Sequence, residues 1–479
     1  SACIAAAEAN QLGVLEWLKG DVGSSKSNAE EGGERVCPWS GETFAWAAAV
    51  GNMETISWLY DNGCPWDDRT GVWAASEGRT DVLRWLKLGS DGGGIGYPRT
   101  SWVTMATSLA ARNNHLEALT WLTSNGCPVS DIQAMKWAAG GGHVRILAFL
   151  KGRNYFWDSI VCAQAALGGK LETLQWLRAN GCPWGEKTCD FAAFKGHLKI
   201  LEWARENGCP ASRWLCTSTA AHGQMRIMAY LREEGFPVSE FTMAFAAKGG
   251  HLRLVRWLAR GGCPMTQEAT KAAAGAGHIH VLRWLRKKNC PWSKDVCHQA
   301  AKFGQLEALQ WLRDKSVHKG AGGVCPWQGR VICREAAKGG HVHLIRWAVS
   351  QGCPLDGEVV YIANIMAKHG HLSGLKWVLL SQGGKVDAFT FSAACQGGNV
   401  ALVAWLRRHM VETGCGAMGW NTRACRNAAA GGHLKVLKYL RSDEHTPPCP
   451  WNAETLKAAS FGGHFMCYNW AKENGCPTK

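Results

Sequence analysis

The sequence lacks an apolar run approaching the roughly 18 residues that a membrane-spanning helix requires, so we expect a soluble chain without membrane insertion. It also lacks a Walker loop, G-x-S-x-G, H-E-x-x-H, and a G-x-G-x-x-G between a strand and a helix. Those motifs carry much of known enzyme chemistry. We therefore expect no enzyme activity, no cofactor and no small-molecule substrate.

Cysteine is abundant, at 21 residues, but no C-x-x-C pair occurs, which argues against a zinc site. The odd count and the absence of any N-x-S/T sequon argue against a secreted, oxidised chain. We interpret the cysteines, which recur at the repeat positions described below, as small buried hydrophobic residues. A local bridge such as Cys182 to Cys189 stays open. The expected location is an intracellular, reducing compartment, either the cytoplasm or an organelle such as a mitochondrion or plastid.

The sequence does contain a repeat of about 27 residues. Each copy follows A-A-x-x-G-H-L-x-x-L-x-W, most clearly in 246–257. The closing aromatic residues of the sixteen copies are Trp17, Trp58, Trp85, Trp121, Phe149, Trp176, Trp203, Tyr230, Trp257, Trp284, Trp311, Trp347, Trp377, Trp405, Tyr439 and Trp470. A period of this size indicates a stacked array in which no unit buries its apolar face alone.

Each copy predicts two helices. The segment 251–260 places apolar side chains on one face and Arg253, Arg256 and Arg260 on the other, as an amphipathic helix does. A shorter Ala-rich segment precedes it, and Asn-Gly-Cys-Pro, as at 207–210, ends the pair. The predicted fold class is all-α, a helix-turn-helix repeat solenoid of about 16 repeats that forms a single domain over residues 1–479.

These residues resemble the ankyrin repeat family, whose A-A-x-x-G-H-L-E-V-V-x-x-L-L-x-x-G-A core matches 336–352 and most other copies. The ankyrin period is 33 residues, so about six are missing where ankyrins project a β-hairpin finger. The Cys-Pro-Trp loop looks like its substitute in short-finger ankyrin-like repeats, and the T-P-L-H signature is absent. The resemblance implies a non-enzymatic scaffold that holds protein partners within a large complex.

Nine of the seventeen histidines occupy one repeat position, directly before the second helix. They are His115, His143, His197, His251, His278, His341, His371, His433 and His464. One histidine per repeat, without a companion carboxylate or thiol, makes no metal-ligand set. We interpret these rings as structural and expect each to tie its turn to the start of the second helix. The tryptophans of the Cys-Pro-Trp loops are interpreted as loop packing rather than platforms for bases.

The net charge of +15 is concentrated in 245–350, which holds 18 basic and 5 acidic residues. Self-repulsion makes such an imbalance mildly costly, so an acidic partner is its natural explanation. Second helices pack about 8–10 Å apart, and outward cations on them are expected to form a stripe. The candidate binding residues are Arg253, Arg256, Arg260, Arg283, Arg286, Lys287, Lys288, Lys294, Lys315, Lys319 and Arg346.

A stripe of this kind suits a phosphate backbone, which rewards regularly placed cations without base readout. RNA is favoured over DNA because no DNA-reading motif occurs, which suggests a subunit of an organellar ribosome or another ribonucleoprotein. Two alternatives stay open at this point, a protein-protein adaptor without nucleic-acid contact and a basic face without a partner. Longer loops at 19–36, 88–96 and 315–324 are expected to project from the side where partners often dock.

Overall fold

The computed structural model describes residues 2–20, 39–88, 102–129, 131–316, 318, 323–353, 355, 357–381, 383, 386–414, 419–442 and 447–478. Throughout these ranges every regular element is an α-helix, and the helices form sixteen consecutive pairs. Each of the sixteen aromatic residues that close the sequence repeats lies on the second helix of its pair. The predicted all-α, helix-turn-helix repeat fold is confirmed.

The first of two compact units comprises Ser1–Thr219 and Gln224–Gly235. Its helices are α1 Ala2–Glu8, α2 Leu12–Gly20, α3 Gly41–Val50, α4 Met53–Asp61, α5 Asp68–Ser76, α6 Thr80–Leu88, α7 Trp102–Arg112, α8 Leu116–Ser124, α9 Asp131–Gly141, α10 Val144–Gly152, α11 Ser159–Leu167, α12 Leu171–Ala179, α13 Glu186–Lys195, α14 Leu198–Glu206, α15 Leu215–Ala221 and α16 Met225–Glu233. Successive first helices pack side by side, as α3 does with α5 and α11 with α13.

The second unit comprises Ala220–Gly223, at the end of α15, and Phe236–Lys479. Its helices are α17 Glu240–Lys248, α18 Leu252–Arg260, α19 Gln267–Gly275, α20 Ile279–Lys287, α21 Lys294–Lys302, α22 Leu306–Arg313, α23 Gly329–Lys338, α24 Val342–Ser350, α25 Val359–Lys368, α26 Leu372–Ser381, α27 Ala388–Gly397, α28 Val400–Glu412, α29 Thr422–Ala430, α30 Leu434–Leu440, α31 Ala453–Phe461 and α32 Phe465–Glu473. First helices from α17 to α31 pack in chain order, and second helices α18, α20 and α22 do the same.

The sequence pattern explains why the two helices of a pair differ in their packing. In α18 the apolar residues Leu254, Val255 and Leu258 are buried, whereas the arginines between them point outward. First helices instead bury small residues, such as Ala273 and Ala274 in α19, which have no exposed surface. Because alanine is small, neighbouring first helices approach closely along the array. Each helix therefore exposes one polar face at a fixed position in its repeat.

The turn between the two helices depends on a glycine in the left-handed region. Gly250 has φ +75°, and a Cβ added there would lie 2.7 Å from the ring of His278 in the next repeat. Only glycine adopts this conformation without strain and also leaves room for the ring. The glycine and the histidine of the repeated G-H dipeptide therefore act in different pairs. The glycine of one repeat leaves space for the histidine ring of the next repeat.

The histidines form hydrogen bonds between repeats. The Nε2–H donates to the carbonyl at the end of the preceding first helix, in the pairs His143 to Arg112 (2.8 Å), His278 to Lys248 (3.0 Å), His341 to Lys302 (3.2 Å), His371 to Lys338 (2.8 Å) and His433 to Gln396 (2.8 Å). The expectation that each ring ties its own turn to its own helix is wrong for His143, His278, His341 and His433, because these rings make no side-chain cap. Their structural role holds, with the partner in the neighbouring repeat.

Two repeats without histidine use other donors at the same place. The Nε of Arg79 donates to the Ala49 carbonyl at 2.9 Å, and the Nε2 of Gln224 donates to the Phe194 carbonyl at 3.4 Å. A terminal carbonyl of a helix has no partner within its own helix and needs a donor from elsewhere. Several side chains with an N–H of suitable reach can therefore supply this bond, and histidine is the commonest of them.

The cysteines are mostly buried free thiols, in agreement with the sequence interpretation. Burial raises the pKa of the Cys216 thiol to about 11 and that of Cys290 to about 11, so both stay protonated near neutral pH. The bridge that the sequence left open between Cys182 and Cys189 is not formed, since both thiols are free. Cys3 is disulfide-bonded.

The predicted loop insertions fall largely outside the described ranges. Residues 21–36, 89–96, 317 and 319–322 of the predicted loop insertions are not described, and the last range includes the candidate binding residue Lys319. The single domain expected over 1–479 stays a prediction beside the two compact units. None of the described helices is both long and apolar enough to span a membrane.

We predict that Gly250→Ala destabilises the array more than Gly262→Ala. Both glycines have positive φ, +75° and +80°, and alanine in that region costs about 1–2 kcal/mol. Gly262 has open space around its Cα, whereas a Cβ at Gly250 collides with the His278 ring. The free energy of unfolding, measured by urea denaturation, is expected to fall further for Gly250→Ala by on the order of 1–3 kcal/mol. Equal losses would contradict the proposed fit between glycine and ring.

A second prediction concerns pH. Burial lowers the pKa of His278 and of His341 below the ordinary 6.5, because the charged ring is poorly solvated. The unfolded chain then binds protons more readily, so stability is full above about pH 6.5 and decreases as the pH falls below it. In His278→Gln with His341→Gln, glutamine keeps the donor but does not titrate. Urea denaturation above and below pH 6.5 should show a smaller loss of unfolding free energy on acidification for the double variant. An equal loss in the double variant and the original chain would contradict the role assigned to these two histidines.

Candidate functional site

The candidate site is built on the second helices α18 and α20. Their inward residues are buried, so the side chains between them must face solvent, and Arg253, Arg256 and Arg260 of α18 are all exposed. On α20, Arg283 and Lys287 are exposed in the same way, and Lys288 follows at the helix C-cap. The outward direction predicted for these six side chains matches the structure.

A groove of about 540 Å³ lies between the ends of α18 and α20. Its lining comprises four cationic residues, Arg256, Arg260, Lys287 and Lys288, together with Ala259, Met265 and Trp284. No carboxylate lines it. Four of the eleven predicted binding residues are therefore brought together around one concave surface.

The four cations of the groove have no ion-pair partner among the described residues. Elsewhere in this unit a few cations are paired, as Arg334 is with Glu358 at 2.7 Å. That pairing lowers the pKa of the Glu358 carboxyl. The groove thus concentrates positive charge that the described chain does not neutralise, which favours binding of an anion.

Arg286 does not contribute a free cation to the stripe. Its guanidinium lies 4.0 Å from the ring centroid of Trp292, and it donates to the Gly323 carbonyl at 3.3 Å. The helical spacing correctly places Arg286 near the end of α20, but it points toward the following loop rather than into the groove. We therefore assign it to loop packing.

The remaining predicted residues lie apart from the groove. Lys294 is exposed at the start of α21, a first helix, and Lys315 is exposed after α22. Arg346 is exposed on α24, where its guanidinium lies 5.2 Å from the Trp377 ring. Between them, α22 presents Glu307 and Gln310 at the outward positions, so the stripe is interrupted there.

His278, beside the groove, adds little positive charge at neutral pH. The pKa of His278 is lowered, chiefly by burial, and its Nε2–H is used in the bond to the preceding repeat. His280 is exposed and donates from Nε2 to the Gly250 carbonyl at 2.9 Å. The electrostatic character of the site therefore depends on arginine and lysine.

The loop tryptophans pack within the array, as the sequence interpretation proposed. Five tryptophans of the Cys-Pro-Trp loops lie against the aromatic residue of the second helix that follows, in the pairs Trp39–Trp58 (5.6 Å), Trp184–Trp203 (5.7 Å), Trp292–Trp311 (6.4 Å), Trp327–Trp347 (5.8 Å) and Trp451–Trp470 (6.0 Å) between ring centroids. Trp157, in a loop without Cys-Pro, packs on Trp176 in the same way at 6.3 Å. Edge-to-face and tilted arrangements of this kind are favourable for aromatic rings.

Sequence reasoning missed the uncharged residues of the groove. Ala259, Met265 and Trp284 each look ordinary in their own repeat, and the charge pattern does not single them out. A comparison of repeats position by position would have found them, since Met265 stands where other loops have tryptophan. Within the described ranges no three His, Cys, Asp or Glu side chains converge in the way metal ligands do.

A second open groove, of about 400 Å³, lies over the first helices α25, α27 and α29. It contains Arg423 and Arg426, and several of its polar groups are already engaged. Arg423 lies 5.2 Å from the Phe389 ring, and the Thr390 hydroxyl donates to Asn364 at 2.6 Å. The α18–α20 groove is the stronger candidate because its cations have no such contacts.

No family model and no curated protein matches this chain. Among solved structures, it is similar to the pentatricopeptide repeat protein PPR10 in complex with an 18-nt psaJ RNA element, with 13% identity over 100% of this chain and 80% of that chain and a TM-score of 0.32. It is also similar to PPR10 from maize, with 13% identity over 97% of this chain and 76% of that chain and a TM-score of 0.28. The likeness concerns helical-repeat architecture and assigns no role to any residue.

We predict that Arg286→Ala destabilises the protein, whereas Arg283→Ala does not. Arg286 loses a cation–π contact and its packing on Trp292, which together contribute about 0.5–2 kcal/mol. Arg283 is an exposed residue of the same helix, where substitutions usually change stability by about 0.5 kcal/mol or less. Thermal denaturation of the two variants measures the difference, and equal melting temperatures would argue against the structural assignment of Arg286.

Proposed function

We propose that this protein is a non-enzymatic, short-finger ankyrin-like scaffold that docks on the phosphate backbone of RNA through α18 and α20. The observation that carries the proposal is the groove in which Arg256, Arg260, Lys287 and Lys288 converge without a carboxylate. Arg253 and Arg283 extend this positive surface along the same two helices. The helical-repeat framework holds all six at fixed spacing.

The physical basis is the release of counterions. Like charges at short range repel one another, and a polyanion relieves that repulsion while releasing the ions condensed on its phosphates. Such binding needs cations that are free of internal partners, and the four groove cations meet that condition among the described residues. The affinity is then expected to fall steeply as the salt concentration rises.

The surface suits a nucleic acid better than an acidic protein. Protein interfaces usually centre on a buried apolar or aromatic anchor that is exposed in the free partner. The large apolar side chains that are clearly exposed between residues 245 and 350 are Phe245 and Phe303, which belong to α17 and the end of α21. In the described structure, the outward face of α18 and α20 presents mainly cations, and its one aromatic ring, Trp284, is half-buried within the groove and does not project from it. RNA is preferred over DNA because the sequence has no DNA-reading motif.

The proposal predicts that charge reversal at Arg256→Glu, Arg283→Glu and Lys287→Glu abolishes RNA binding by the full chain without unfolding it. These side chains are exposed, so circular dichroism and melting temperature should stay close to the original values. Binding of a generic structured RNA is measured by fluorescence anisotropy over a salt series. For the original chain, log affinity should fall with log salt by about 0.7–0.9 for each phosphate that the protein neutralises.

A matched control reverses three exposed cations of the first unit, Arg145→Glu, Lys199→Glu and Arg226→Glu. This variant has the same change in net charge but leaves the groove intact, so it should bind nearly as well as the original chain. Retained binding by the folded groove variant would overturn the proposal. Binding by the original chain to an acidic polypeptide but not to RNA would identify the surface as a protein-docking face.

A further inference from the structure

The groove lies where the pattern of loop packing is interrupted. In the loops that carry Cys-Pro-Trp, the tryptophan commonly lies 19 residues before the aromatic residue it packs against, as with Trp184 and Trp203 or Trp292 and Trp311. The aromatic residue of α20 is Trp284, and 19 residues before it stands Met265. The loop of this repeat therefore lacks the indole that covers its counterparts elsewhere.

A second substitution enlarges the same space. An arginine six residues before the loop tryptophan lies over its other face, as Arg178 does over Trp184 at 4.3 Å and Arg286 over Trp292 at 4.0 Å. Six residues before Met265 the chain has Ala259. Both members of the arginine–tryptophan pair are thus replaced by smaller side chains. Ala259 and Met265 line the groove, and Trp284 lines it with them.

Three other repeats that lack both members of the pair cover their aromatic residue in another way. In the repeat of Val386, the ammonium group of Lys376 lies 5.4 Å from the Trp405 ring. In the repeat of Val129, the guanidinium of Arg153 lies 4.6 Å from the Phe149 ring. In the repeat of Leu355, Arg346 lies 5.2 Å from the ring of Trp377. Trp284 has neither an aromatic partner nor a cation over its ring among the described residues. Its indole is therefore available to a planar group entering from solvent.

We infer that the α18–α20 groove accepts an unpaired base of single-stranded RNA, which packs against Trp284 while its flanking phosphates contact Arg256, Arg260, Lys287 and Lys288. This inference rests on the proposed function and specifies its substrate class. A base is planar and aromatic, so it takes the position that an indole occupies in neighbouring repeats. The four cations then neutralise the phosphates on either side. Paired RNA does not present a free base face, so the groove selects single strands.

The decisive variant fills the groove with the arginine and tryptophan that other repeats of this chain carry. Ala259→Arg together with Met265→Trp restores the side chains that other repeats carry at these positions, so the variant is expected to fold. Binding to a single-stranded oligonucleotide containing 2-aminopurine and to a fully paired RNA duplex is compared at one salt concentration. For the original chain we expect quenching of the 2-aminopurine and about tenfold preference for the single strand.

The filled variant should lose both the quenching and the preference, while its affinity for duplex stays equal or rises because it gains one positive charge. Trp284→Ala should lose the preference as well. Trp377→Ala serves as its control, because that indole lies under Arg346 and outside the groove. Comparable melting temperatures for the two alanine variants make the comparison valid.

The outcomes separate this inference from the proposed function. Equal, salt-dependent binding of single strand and duplex without quenching would overturn base packing on Trp284 and leave the phosphate-docking function standing. Unchanged quenching in the filled variant would overturn the groove as the base site. Failure of the original chain to bind either RNA at low salt would overturn the proposed function itself.

Discussion

The stacking of many repeats depends on one hydrogen bond that crosses from a repeat to the one before it. A side-chain N–H at the start of the second helix reaches a carbonyl at the end of the preceding first helix, usually from a histidine such as His278. The left-handed glycine beside that carbonyl leaves space for the ring. This combination satisfies an otherwise orphaned carbonyl and sets how one repeat lies on the next. Because the spacing is set in this way, equivalent side chains on α18 and α20 face the same side and their charges add.

Much of the fold follows from the sequence, because the period, the alternation within the second helix and the helix-stop motif all recur many times. The repeat register places Arg253, Arg256 and Arg283 on the outer face, where the structure has them. The partners across a repeat boundary are harder to infer. The sequence predicts a role for His278 within its own turn, although its acceptor lies 30 residues earlier. Periodicity shows that a residue recurs, but a contact one period away looks the same as a contact within the repeat.

The site was only partly predictable for a similar reason. Charge identifies the cations of the groove, but it also includes Arg286, whose guanidinium is taken up by Trp292. The groove itself results from what two positions lack, Ala259 at the end of α18 and Met265 in the loop after it. A pattern search finds residues that are present and overlooks substitutions by smaller ones. The structure reveals the two smaller side chains because they line an open groove.

The arginine–tryptophan pair fills the space beside the aromatic residue of the second helix, and each loop has or lacks the pair independently of the others. Each repeat in such an array touches only its neighbours, so exchanging two side chains opens one position and leaves distant repeats unaffected. The order of loops with and without the pair therefore determines which positions along the array are open to a partner. For a partner that runs along the array, this order determines the distance between successive contacts, which is a whole number of repeats.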